Sequence, residues 1–283
     1  MSERGRRQRD IERRLRELDR LDAKYGLGAP LSQQQRVRRD WRRIVVPVAA
    51  LALLLMILVA VPGLAPGSIR RFLGLGPHRL GHLPAVDTSG AHEFAAKQTG
   101  IGSQPVTWDP CKPIHYEVNI AGGPPDAVDL VTGAISDVSR RTGLEFEYDG
   151  LTGARPRWKS SNLPFFATHR PALVSWATES EVSQLAGRVA GLGGSLPQRA
   201  RDGRLHYVTG GVTLDSASFT ALNRRAEGRA LERAILLHEL GHLVGLAHVS
   251  DQAELMNPDN GGQLDYGPGD REGLAKLGAV PCF

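Results

Sequence analysis

Residues 238–248 read HELGHLVGLAH, a run of metal-binding and proton-transferring side chains at fixed intervals. His238 and His242 stand four apart, so on a helix their imidazoles leave one face, one turn from each other. Leu231 and Ile235 continue that stripe toward the N-terminus, which is expected to bury the helix and aim both rings into the domain. Glu239 adjoins the first imidazole and can address a water beside a bound metal. Gly245, three residues after His242, permits a left-handed exit from the helix, and that turn can bring His248 back to the same point. Three neutral imidazoles leave one position of a tetrahedral Zn²⁺ open, which distinguishes a catalytic site from a closed structural one. Water activated there can attack a polarised carbonyl near neutral pH, with Glu239 taking its proton and later protonating a leaving amine. One catalytic Zn²⁺ on His238, His242 and His248, with Glu239 as base, is therefore expected.

This pattern with a downstream methionine, HExxHxxGxxH…M, resembles the metzincin clan of zinc peptidases. Met256 lies eight residues after His248, and AELMNP around it is similar to the matrixin branch. The resemblance implies that Met256 sits on a tight turn beneath the zinc without coordinating it. It implies also that Asp270, in GDREGLAKLG (Gly269–Gly278), lies near the start of a final helix. A zinc-dependent endopeptidase acting on a peptide or protein substrate follows as the implied activity. Some features depart from the branch. There is no PRCGxPD-type pro-segment, Cys111 sits in DPCKP, and Val249 follows the third histidine where serine is usual. No His/Asp pattern for a second, structural zinc and no calcium loop is recognisable, so calcium is not expected. Two other readings use the same residues: a zinc amidase acting on cell-wall peptides, and a non-catalytic zinc-stabilised ectodomain for signalling or scaffolding. The second has no need of a base at position 239.

The elements that would position these residues are legible in part. IHYEVN (Ile114–Asn119) alternates as a strand. Pro124 and Pro125 introduce a helix over Asp126–Thr142, with Val128, Val131, Ala134, Ile135 and Val138 at helical spacing and Gly143 as its stop. Leu144–Tyr148, Ala172–Ala177 and His206–Leu214 are expected as strands. The last precedes the active-site helix, so Val208, Gly210 and Gly211 are candidates for pairing with an extended substrate, an ordinary inner strand being the alternative. Ala226–Leu246 and Asp270–Leu277 complete the set as helices. This order is α+β: a metzincin-like zincin domain with a mixed twisted sheet and an active-site helix packed on it. His78, His82, His92, His115, His169 and His206 are expected to be solvated or hydrogen-bonded. Cys111 and Cys282 are expected to pair in an oxidising compartment, closing a loop worth on the order of 5 kcal/mol by chain entropy, two buried thiols being the alternative.

The chain's pI near 9.5 and net charge of +5 raise nucleic-acid binding, but the charge is uneven. Residues 1–43 hold 14 of the 35 basic and 7 of the 30 acidic side chains, so the remainder is slightly acidic and no nucleic-acid partner is expected. Ile44–Val61 is eighteen residues without a charge, read with 62–64 as a transmembrane helix after a basic cytoplasmic arm. Arg36, Arg38, Arg39, Arg42 and Arg43 then place the N-terminus inside and the catalytic domain outside a cell membrane crossed once. Within the arm (1–43), Ile11, Leu15, Leu18, Leu21 and Tyr25 form one apolar stripe, suited to self-association, to an anionic membrane surface or to neither. Residues 65–106, rich in Gly and Pro, are expected to be a flexible stalk, and 107–283 the peptidase domain.

Overall fold

The computed structural model describes residues 3–26, 41–60, 78–86, 88–100, 104–158, 170–200, 203–259 and 262–282. The chain divides into two units, Met1–Gly76 and Pro77–Phe283. In the first, α1 (Glu3–Tyr25) carries the stripe Ile11, Leu15, Leu18, Leu21 and Tyr25, all exposed. Helix α2 (Trp41–Ala60) corrects the membrane assignment, because no helix among the described residues is long and apolar enough to cross a membrane. It opens on Trp41, Arg42 and Arg43 and holds Pro47, which removes one intrahelical bond. Among the described residues its uncharged part is Ile44–Ala60. Residues 61–64 of the expected span lie outside the described residues. The single-pass topology, the inside–outside orientation and the transmembrane part of the expected fold class go with it.

The second unit is a mixed α/β fold on a five-stranded sheet. Strand β1 (Glu93–Phe94) lies outside that sheet, which comprises β2 (Ile114–Asn119), β3 (Phe146–Leu151), β4 (Ala172–Ala177), β5 (Gly191–Arg199) and β6 (Leu205–Asp215). Their order is β3-β2-β4-β6-β5, parallel except for β5, which runs antiparallel to β6 and forms an edge. In β2 the alternation has its usual cause: Ile114, Tyr116 and Val118 face the core and His115 faces out. Strand β4 is buried along nearly its whole length, since it has parallel neighbours on both sides.

Two long helices cover the core. Helix α3 (Ala127–Thr142) buries Leu130, Val131, Ala134, Ile135 and Val138 and ends on Gly143, whose φ of 70° closes the helix. A short α4 (Ser216–Leu222), capped by Asp215 through the Ser218 amide, places Phe219 edge-on to Trp176 at 5.9 Å. Helix α5 (Gly228–Val244) seals the core with Ala234, Leu236, Leu237, Leu240 and Leu243. The expected stripe is corrected here: Leu231, Ile235, His238 and His242 lie on the half-buried face, so the helix is held by its other side. Strand β7 (Leu246–Ala247) and α6 (Pro268–Gly278) end the unit, and Cys111 is bonded to Cys282 across a sequence separation of 171.

The expected stalk differs most. Residues 65–77, 87 and 101–103 lie outside the described residues, but the remainder of 78–106 is seated on the domain. Arg79 donates to the Gly278 carbonyl and, at 2.7 Å, to that of Val280. Strand β1 pairs antiparallel with β7, and Val106 is fully buried. Glycine there serves close backbone approach: a Cβ on Gly90 would come within 2.6 Å of the Gly269 nitrogen.

Candidate metal centre

Helix α5 delivers His238 and His242 one turn apart, and Gly245 ends it. With φ of 122° and ψ of 13°, Gly245 sends its N–H back to the carbonyls of Gly241 and His242 and turns the chain into β7. Three residues later His248 returns. The three Nε2 atoms converge: His238 to His242 is 3.2 Å, His238 to His248 3.1 Å and His242 to His248 3.0 Å. The other ring nitrogens point at main chain. His238 Nδ1 lies 2.7 Å from the Leu255 carbonyl oxygen and His242 Nδ1 2.9 Å from that of Leu246. A carbonyl can only accept, so each of these two rings carries its proton on Nδ1 and turns Nε2 inward. Burial draws both imidazoles down to about 4, and His248, more exposed, is lowered by the same cause.

Glu239 is buried at 7% exposure, and burial pushes its carboxyl up to about 8; a dication nearby acts in the opposite direction. Its wall is β5. A Cβ on Gly191 would stand 2.7 Å from Glu239 Cγ and 2.9 Å from Oε1, and one on Gly193 would overlap the Glu239 carbonyl. The last turn of the helix is tied to the sheet, since the Leu243 carbonyl accepts from Trp108 Nε1 at 2.9 Å and Ser195 Oγ at 2.5 Å.

Met256 is 1% exposed, and a Cβ on Gly241 would come 2.6 Å from its sulfur. The Met256 carbonyl accepts from the Val249 amide at 3.1 Å, linking this turn to the residue after His248. Two buried carboxylates latch it reciprocally. Asp270 Oδ2 accepts from the amides of Leu255 (2.6 Å), Gly267 (3.1 Å) and Met256 (3.4 Å), while Glu254 accepts from those of Gly269 and Asp270, each at 2.8 Å. The latch therefore sets the Leu255 carbonyl that orients His238. Sequence reading found Asp270 through its resemblance and missed Glu254, whose signal was a carboxylate between apolar neighbours in AELM.

Burial pushes the Asp270 carboxyl from 3.8 to about 6; the Gly267, Leu255 and Met256 amides oppose this and Glu254 adds to it. Between those values the folded chain keeps a proton that the unfolded chain has released. The associated stability is full below about pH 3.8 and is lost as pH rises through about 6. Asp270→Asn should abolish that decline. Measured by chemical denaturation, the variant should gain on the wild type by up to about 3 kcal/mol from about pH 4 to 7. A difference that does not change with pH would count against this assignment.

The candidates for substrate pairing, Val208, Gly210 and Gly211, lie on β6, which pairs with β5 along its length and with β4 only from Gly211 to Asp215. Gly210 is small because a Cβ would meet Leu243 Cδ1 at 2.7 Å, and Gly211 because one would meet the Leu173 carbonyl at 3.1 Å. The strand at the sheet's edge beside Glu239 is β5, whose GLGGSLPQR lacked the β-branched residues that mark a strand. Of the remaining histidines, His115 bonds Asp149 at 2.9 Å, which raises its pKa, near Glu147 on an exposed face. His92 contacts the Gly90 carbonyl at 3.0 Å, and His169 lies outside the described residues.

No family model and no curated protein matches the chain. Among solved structures, the archaemetzincin of Methanopyrus kandleri aligns with a TM-score of 0.39 at 16% identity, over 58% of this chain and 93% of that one. The GM1-bound form of the ECX AB5 holotoxin aligns with a TM-score of 0.34 at 12% identity, over 58% and 80%. Likenesses this low carry no argument about function.

Proposed function

We propose that the chain is a zinc-dependent endopeptidase of the metzincin type, with His238, His242 and His248 holding the metal and Glu239 moving the proton. One observation carries this reading. His238 and His242 face each other through Nε2 at 3.2 Å while their Nδ1 protons are committed to carbonyls. Two neutral rings would oppose lone pairs and two protonated rings N–H groups. A singly protonated pair would relieve this, but burial holds both imidazoles at about 4 and so neutral at ordinary pH, which leaves a cation between the lone pairs as the favourable arrangement. Tetrahedral zinc at about 2.0–2.1 Å from each nitrogen requires nitrogens about 3.3 Å apart, close to what is found.

Bound there, Zn²⁺ would polarise a substrate carbonyl and make water nucleophilic near neutral pH. The residues of the chain do the rest. Glu239, next to His238 in sequence and packed against Gly191, would accept a proton and return it to the leaving amine. Its enclosure by β5 excludes solvent. An extended peptide laid along the outer edge of β5 would add a strand to the sheet and cross in front of Glu239. Similarity to the matrixin branch rests on Met256, eight residues past His248, and supports the same reading.

The test is to purify the full chain, measure zinc per chain, and offer an unstructured peptide library and short cell-wall peptides separately. One zinc per chain is expected, with cleavage of the library lost to a chelator and restored by zinc. Cleavage confined to cell-wall peptides would establish the amidase alternative instead. Zinc bound with no cleavage of either substrate would overturn the enzyme reading.

A further inference from the structure

Strand β7 does more than lead from the second imidazole to the third. The Leu246 carbonyl accepts from His242 Nδ1, and Ala247 immediately precedes His248. Two residues thus set the orientation of two rings. In a segment this short the conformation is fixed by whatever pairs with it, and that partner is the N-terminal segment. Glu93 lies opposite Ala247 and Phe94 opposite Leu246 in antiparallel register, and the Ala95 amide donates to the Gly245 carbonyl at 2.9 Å. Phe94 packs against the core, and the chain continues through the Val106 amide to the Ala96 carbonyl at 2.8 Å.

The other end of this segment is tied to α6. Thr88 Oγ1 donates to the Pro268 carbonyl at 3.2 Å and the Gly90 amide to Glu272 at 3.1 Å. Where the segment crosses α6 the helix has glycine: a Cβ on Gly273 would meet His92 Cβ at 3.0 Å and Leu246 Cδ2 at 2.7 Å. A Cβ on Gly269 would meet the Ala91 nitrogen at 2.5 Å. Thr88–Ala95 therefore bridges α6, already latched to the Met256 turn by Asp270 and Glu254, and the strand that aims His242 and His248. We propose that Thr88–Ala95 is a positioning element of the histidine centre: seated, it fixes Gly245–Ala247, and with them the second and third imidazoles, for a divalent metal. The consequence is that cutting or lifting the chain between Thr88 and Ala95 releases metal without touching a ligand.

This inference rests on the zinc reading above, and its test separates the two. Zinc affinity is measured by chelator competition on the full chain, alongside the visible absorption of the Co²⁺-substituted protein, which reports ligand geometry. Ala95→Pro removes the N–H that holds Gly245, and Ala95→Ser keeps it. Ala95→Pro should weaken zinc binding about tenfold, a hydrogen bond's worth, and alter the Co²⁺ spectrum, while Ala95→Ser behaves as wild type. Gly90→Ala presses the segment off Gly269, and its Cβ also meets Glu254 Oε1 at 2.8 Å. It therefore disturbs the segment and its anchorage on α6 together and should weaken zinc in the same sense; unchanged binding in it counts against the proposal if the proline variant does not fold. Equal affinity and an unchanged spectrum in a folded Ala95→Pro or Gly90→Ala variant would overturn the positioning role while leaving the metal site standing. A wild-type chain that binds no zinc, or a His242→Ala variant that binds it as well, would overturn the zinc reading itself.

Discussion

Glu239→Ala is expected to bind zinc at one ion per chain and to hydrolyse peptides about 10²–10⁴-fold more slowly than wild type. The expectation follows from placement. Glu239 is adjacent to His238 in sequence, but its carboxyl contributes no nitrogen to the converging set, and its immediate neighbour is Gly191 on β5. Removing it should leave the three Nε2 atoms where they are, since His238 and His242 are held by carbonyls of Leu255 and Leu246, which do not depend on it. The loss should therefore fall on turnover and not on metal content. Glu239→Gln, which keeps shape and loses only basicity, should be nearly as slow. Metal analysis and initial rates on one cleaved library peptide check both. Loss of zinc along with activity would mean that the carboxylate is structural, and full activity in either variant would remove it from the chemistry.

Gly193→Ala should destabilise the fold by at least about 3 kcal/mol. Its Cβ would overlap the Glu239 carbonyl oxygen and lie 2.8 Å from the carbonyl carbon, both main-chain atoms in the middle of α5. A flexible side chain could move aside, but a helix backbone can yield only by separating from β5, and that opens the wall against which Glu239 lies. The neighbouring Gly194→Ala is the control. Its Cβ points to the other face, where the nearest atom is Trp158 Cζ3 at 3.7 Å, an ordinary contact, so its effect should stay within about 1 kcal/mol. Denaturant midpoints of the two variants decide the matter. If the two are equally stable, close helix–strand approach is not what these glycines serve.

The sequence alone determined the local parts of the site. HELGHLVGLAH fixed the helical spacing of His238 and His242, and only glycine at 245 suits the φ of 122° that ends the helix. The strand Ile114–Asn119 and the helix ending at Gly143 were readable because their burial follows a local period, and Ala172–Ala177 because it is a short, nearly continuous apolar run. What was illegible depends on partners distant in the chain. The edge strand β5 has glycines where a strand favours branched residues, since α5 leaves no room for side chains. Residues 88–95 read as a stalk because their pairing with Leu246–Ala247 lies some 150 residues away and leaves no periodic trace. Glu254 and Asp270 reveal their latch only when two backbone segments meet. Local spacing is written in covalent order, and the closeness of main chains to one another is settled only when the core forms.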